Sequence, residues 1–116
     1  MAWRATHRYA RISPRKARLM AELIRGCDVQ DALNVLKFTP NRAAGMFAKV
    51  LTSAVANANE AEADVERLYV AEARVDPGPT IARVRPKSRY RMSPIRKPMS
   101  HLHVVVEEEA EPAETR

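Results

Sequence analysis

Five basic residues recur at every second position between residues 83 and 91: Arg83, Arg85, Lys87, Arg89 and Arg91. On an extended backbone, side chains two apart point the same way, so this spacing lines one side of the chain with positive charge. Guanidinium groups offer planar pairs of N–H donors that match phosphate oxygens, and they also stack on bases. Tyr90 sits within the ladder and has the flat face needed to stack on an unpaired base. Arg96 and Lys97 extend the run, and no acid occurs anywhere from Pro77 to Val106. Solvated faces normally mix both signs of charge, so a segment of one sign points to a polyanionic partner. A second acid-free stretch, Met1 to Ala21, carries Arg4, Arg8, Arg11, Arg15, Lys16 and Arg18.

The formal net charge of +6 understates this surface. Residues 107–116 hold five of the acids and one base, so the first 106 residues carry 19 bases against 9 acids, a net +10. Such a surface is positive whatever the fold.

Catalytic groupings are missing from the sequence. The three glycines, Gly26, Gly45 and Gly78, are too scattered to form a phosphate-cradling loop. No Ser-His-acid spacing stands out. Acids gather in the connection Glu60, Glu62, Asp64, Glu66 and at the C-terminus, away from apolar pocket residues. Cys27 is the single cysteine, which rules out an internal disulfide and suits a reducing, cytosolic setting. It reads as a small residue at a helix end. His101 and His103 share one face of an extended segment, but two imidazoles do not make a zinc site, and packing or hydrogen bonding accounts for them. No catalytic residue, metal or cofactor is expected.

The elements that must hold these cations can be read in turn. The chain has 116 residues, 46% of them hydrophobic, enough for one domain with a core. It has no apolar run of 18, so no membrane span is expected. The N-terminal segment has no apolar stretch of the secretory type and leads directly into a helix. Residues 2–10 alternate loosely, as in an edge strand. Ser13-Pro14 opens a helix, Ser as N-cap and Pro at the first turn, with Leu19, Met20, Leu23 and Ile24 forming its apolar stripe and Gly26 its C-terminal stop. Asp28 caps a second helix carrying Val29, Ala32, Leu33 and Leu36. Thr39-Pro40 ends it and starts a third helix that runs to about Glu60, with Ala43, Phe47, Val50, Leu51, Ala54, Val55 and Ala58 at helical spacing. A strand follows over 68–76, with Tyr69, Ala71, Ala73 and Val75 on one face, and another over 99–107, with Leu102, Val104 and Val106 on one face.

Residues 77–98 between those strands are far more than an ordinary connection requires. They read as two extended arms, each about 11 residues long and able to reach ~35 Å. With only Ile81, Val84, Met92 and Ile95 as aliphatic or thioether groups, the ribbon is marginal by itself and needs a surface to lie on. The expected organisation is one domain over 1–107, including the basic hairpin 77–98, followed by a solvated acidic tail over 108–116.

Four blocks, SPRKARLMAELIRG, SAVANA, GPTIARVRPK and MSHLHVVVE, together resemble the family of large-subunit ribosomal protein number twenty-two of bacteria and organelles. The order and spacing match over about residues 4–107. The resemblance implies an α+β fold, three helices packed on a small three-stranded antiparallel sheet with a long projecting β-hairpin. It implies a structural constituent of the large ribosomal subunit that binds large-subunit ribosomal RNA, aids early assembly, and lines part of the nascent-peptide exit tunnel with its hairpin. Arg15, Lys16, Arg18, Arg25, Thr80, Arg83, Arg85, Pro86 and Lys87 match the family's basic motifs. Implied partners are ribosomal RNA, neighbouring large-subunit proteins and the nascent polypeptide, in a cytoplasmic ribosome of bacterial type. This chain departs from the pattern at Tyr90, where a glycine is common before Arg91, at Cys27, where a lysine is common, and at Ala61, where an asparagine is usual.

Two other readings compete. The first two helices could be imagined as a helix-turn-helix regulator, but DALNVLKF is mostly core and lacks polar base-reading residues. A nucleic-acid enzyme would need a nucleophile or metal constellation, and none is present.

Overall fold

The computed structural model describes residues 2–109. Strand β1 (Ala2–Ala10) leads into helices α1 (Pro14–Ile24), α2 (Val29–Phe38) and α3 (Arg42–Glu60). A 3-10 turn over Val65–Arg67 then feeds β2 (Leu68–Lys87), which returns as β3 (Arg91–Glu108). The sheet is antiparallel in the order β1-β3-β2, so the last strand is the central one. The helices pack on one face, α3 over β1 and β3 and α1 over β2. This is the expected α+β arrangement with a projecting hairpin.

The core lies between that face and the helices. Leu102, Val104 and Val106 alternate along β3 and are fully buried, opposite Phe47, Leu51 and Ala54 of α3 in one apolar cluster. On β2 the buried set is Leu68, Val70, Ala73 and Val75, which corrects the face read from the sequence. The cause is a bulge at Ala71: Val70 pairs with Val106 and Glu72 with Val105, so β2 holds one extra residue. Because strand side chains have a period of two, one extra residue swaps the faces beyond it.

The stripe on α1 also differs. Ala17, Met20, Ala21 and Ile24 face the core, whereas Leu19 and Leu23 are 57% and 48% exposed. Alanines at 17 and 21 let the helix lie close to the sheet, and the leucine pair falls one position further round, in solvent. Ser13 caps α1 by accepting from the Lys16 amide, and Gly26 takes the left-handed conformation (φ +81) expected at the helix end. The cap of α3 is Asn41, which accepts from the Ala43 amide at 2.9 Å, two residues beyond Thr39. Asp28 stands at the N-cap of α2, but its side chain makes no capping bond. Its backbone bridges to Tyr69 instead, while Gly26 N–H donates to the Val70 carbonyl and Val70 N–H to that of Cys27. The segment after α1 thereby closes part of the β2 edge.

Residues expected as a connection belong to the strands themselves. β2 and β3 pair continuously past a second bulge at Gly78–Pro79, as far as Lys87 opposite Arg91. Only Ser88, Arg89 and Tyr90 form the tip. The paired arm beyond the body, Thr80–Lys87 with Arg91–Pro98, has eight residues a side, a reach of about 26 Å at strand rise. The molecule is therefore elongated, 78 × 24 × 20 Å, with a radius of gyration of 18.1 Å. A compact chain of this length has about 13 Å. At the other end β3 runs through Glu108, and the Glu109 amide donates to the Arg67 carbonyl. The rest of the expected acidic tail, 110–116, lies outside the described residues.

Candidate nucleic-acid interface

Register gives the arm two chemically distinct faces. Residues directly opposite each other in an antiparallel pair share a face. Arg83 lies opposite Ile95, Arg85 opposite Ser93, Lys87 opposite Arg91, and Ile81 opposite Lys97. One face thus presents Arg83, Arg85, Lys87, Arg91 and Lys97. The other pairs Thr80 with Pro98, Ala82 with Arg96, Val84 with Pro94 and Pro86 with Met92, so it is largely apolar, with Arg96 as its one cation. Val84 and Met92 are 60% and 72% exposed, so this apolar side is uncovered. The sequence-derived ladder holds through Lys87 and resumes at Arg91. Arg89 leaves it because it belongs to the tip.

The tip is tight despite having no glycine. Arg89 (φ 35) and Tyr90 (φ 59) both occupy the left-handed region that side chains with a Cβ rarely adopt. Tyr90 is fully exposed, with its ring free of the rest of the chain. A strained, exposed aromatic at the end of a cationic arm is available for stacking.

At the root of the arm the strands meet the body in an open cleft of about 830 Å³. Arg11 and Lys16 come from the β1–α1 turn and the start of α1, and Arg83, Arg96 and Lys97 from the arm. Arg42, at the first position of α3, joins them. Sequence reasoning missed Arg42. The available signal was a helix start with a base and no acid in its first turn. Thr80 is exposed just beyond the second bulge.

The remaining body cations divide. Arg4 and Arg8 on β1 and Arg15 on α1 are exposed. The Arg4 carbonyl accepts from Asn57 of α3, which satisfies part of the β1 edge. Arg18 and Arg25 are exposed too, but their guanidinium groups reach back to β2. Arg25 donates through Nε and a terminal nitrogen (3.2 and 2.6 Å) to the Ala73 carbonyl, and Arg18 donates to the Val75 carbonyl at 3.3 Å. These two guanidinium groups cap the open edge of β2. That edge bonding follows from the docking of α1 beside β2, and no local pattern signals it.

The sheet face away from the helices carries His101 and His103. His101 Nδ1 accepts from the Tyr9 amide at 3.1 Å, with the Tyr9 ring edge-on at 5.0 Å. His103 lies between Thr6 Oγ1 (3.1 Å from Nδ1) and the Asp76 carboxylate (3.0 Å from Nε2). A neutral ring satisfies both, with Nε2–H donating to Asp76 and Nδ1 accepting from the Thr6 hydroxyl. Burial, then the neighbouring Arg74 guanidinium and His101, push the His103 pKa below its ordinary value, and Asp76 opposes them. Among the described residues no group of three or more His, Cys, Asp or Glu side chains could hold a metal ion. No described helix is long and apolar enough to cross a membrane. Cys27 is half-buried, with its thiol 3.5 Å from the Leu23 carbonyl.

This arrangement can neutralise phosphates along an arm and at its root. The family model described as Ribosomal protein L22p/L17e matches residues 5–107. A Thermoanaerobacter sp. (strain X514) protein named large ribosomal subunit protein uL22 is 52% identical over 109 residues, covering 93% of this chain and 98% of that one. Proteins of the same name from Maridesulfovibrio salexigens and Clostridioides difficile (strain 630) are 52% and 49% identical, each over 93% of this chain and 99% and 98% of their own.

Proposed function

We propose, from the premise that the chain belongs to the Ribosomal protein L22p/L17e family, that it holds folded RNA together in the large ribosomal subunit with two basic surfaces. It is a structural, non-enzymatic component of that subunit. In this reading Arg4, Arg8, Arg11, Arg15 and Lys16 on the body, and Thr80, Arg83, Arg85, Lys87, Arg89, Tyr90, Arg91, Arg96 and Lys97 on the arm, contact large-subunit ribosomal RNA. Arg18 and Arg25, exposed on the body beside β2, belong to the same RNA-contacting set and also hold the edge of β2. Residues 1–107 act as one unit, in a cytoplasmic ribosome of bacterial type, beside neighbouring subunit proteins.

The observation that carries the reading is the two-faced arm. A ribbon with cations on one side, exposed apolar groups on the other and no core of its own is suited to a narrow space between a polyanion and something less charged. The cationic face lies on ribosomal RNA and helps gather it early in assembly. The Val84, Pro86, Met92 and Pro94 face lines part of the exit tunnel and meets the nascent polypeptide.

Binding by phosphate neutralisation releases counterions. If about 8 phosphates are covered, the log-log dependence of affinity on salt should have a slope near −6 to −7. Filter binding of the purified protein to large-subunit RNA across a salt series measures this, and a flat response would remove the mechanism.

A further inference from the structure

The cleft at the root of the arm has features that neither the arm nor the body explains separately. Its walls hold six cations, Arg11, Lys16, Arg42, Arg83, Arg96 and Lys97, and no acid. No carboxylate pairs with any of them among the described residues, and Arg83 makes only a bond to the Ala82 carbonyl. Crowding six like charges around one hollow opposes folding of the free protein, so the arrangement favours an external anion.

Two helix starts open onto the same hollow. Ser13 and Lys16 bring the beginning of α1, and Asn41 and Arg42 the beginning of α3. A helix N-terminus is the positive end of its dipole and is favoured by acids nearby. Both these helices lack an acid in the first turn, whereas α2 has Asp31 in its first turn and Lys37 in its last. The inverted pattern is thus confined to the two helices whose starts line the cleft. Arg96 adds a third, independent sign. It is the one cation on the otherwise apolar face of the arm, and it sits where that face borders the cleft.

We infer that this cleft seats the sugar-phosphate backbone of an RNA strand, held between the helix starts of the body and the base of the arm. The inference rests on the RNA-binding reading above and adds to it a particular seat and a contact, Arg42. The volume lies in the range of clefts that bury a molecule of a few hundred daltons, so it admits a short run of backbone rather than a whole duplex. Because its walls come from both body and arm, an occupied cleft fixes the direction in which the arm leaves.

The test is a double-mutant cycle in the full chain, read by filter binding to large-subunit RNA over a salt series. Arg42→Gln removes a charge from the body wall and Arg96→Gln one from the arm wall. Lys37→Gln, on the last turn of α2, is the control. All three sites are exposed, and circular dichroism of each variant checks that the fold is kept. Each cleft variant should bind about 10-fold more weakly, as for loss of a charge-assisted hydrogen bond, with a salt slope shallower by about 0.7–0.9. The double variant should lose less than the product of the two, since both contacts serve one strand. Lys37→Gln should leave affinity and slope near the wild-type values. Wild-type binding with its steep slope, together with an unchanged Arg42→Gln, would overturn the cleft and leave the general RNA-binding reading standing. A wild-type protein that does not bind the RNA would overturn both.

Discussion

At the scale of single residues, arginines of one type do two jobs. Arg83 and Arg85 point away from the protein, whereas Arg18 and Arg25 close the edge of β2 through the Val75 and Ala73 carbonyls. Charge and spacing distinguish acid-free runs from mixed ones, but they do not reveal which guanidinium meets a backbone carbonyl 48 residues on. His103 shows the same limit. Its place on a strand face is plain from alternation, while its partners Thr6 and Asp76 come from two other strands. Its lowered pKa has a consequence for stability. The unfolded chain takes up this proton near the ordinary histidine value of about 6.5 and the folded chain only at lower pH. The contribution of His103 is therefore complete above that ordinary value and is lost as pH falls through the lowered one. Urea unfolding at pH values from about 7.5 down to 5 should show stability declining with acidification in the wild type, and less steeply in His103→Asn. Equal slopes would show that the imidazole is not coupled to folding.

At the scale of elements, periodicity located α1, α2, α3 and the three strands, because each buries a face against another, but not the 3-10 turn Val65–Arg67, which buries none. What it misplaced were phases. The Ala71 bulge reversed the faces of β2, and the alanines of α1 turned its burial away from Leu19 and Leu23. Neither event has a local signature, since each depends on how closely two elements approach. The hairpin illustrates a different gap. Its composition announced a long basic extension, but its continuous pairing and the sorting of cations and apolar groups onto opposite faces follow from register. The buried core contains no residue between Val75 and Leu102 apart from Ser100, whose hydroxyl donates to the Ile12 carbonyl. Deleting residues 83–94 should therefore leave a folded body with a helical circular dichroism spectrum and a cooperative melt within a few degrees of the parent. Global unfolding of that variant would mean that the arm helps to hold the core.

At the scale of the whole molecule, shape and charge act together. An elongated molecule of 78 Å with cations at the root and along the arm can engage RNA at points that a compact protein of this mass would not span. Linked contacts behave as one multivalent site, because binding at the root raises the effective concentration of the arm near its own partner. The family reading was legible in the sequence because four blocks agree in order, whereas the cleft was not, since its walls are drawn from four separated segments. The proposed two-surface binding also separates a ribosomal protein from a free regulator. In a sedimented lysate the full chain should travel with large subunits at moderate salt and be released only as salt rises, because each neutralised phosphate steepens the dependence. The chain lacking 83–94 should be released at lower salt, having kept the body contacts and lost the linkage. A full-length pool that remains mostly free at moderate salt would favour the regulator. Equal release of the two forms would show that the arm adds no hold on the particle.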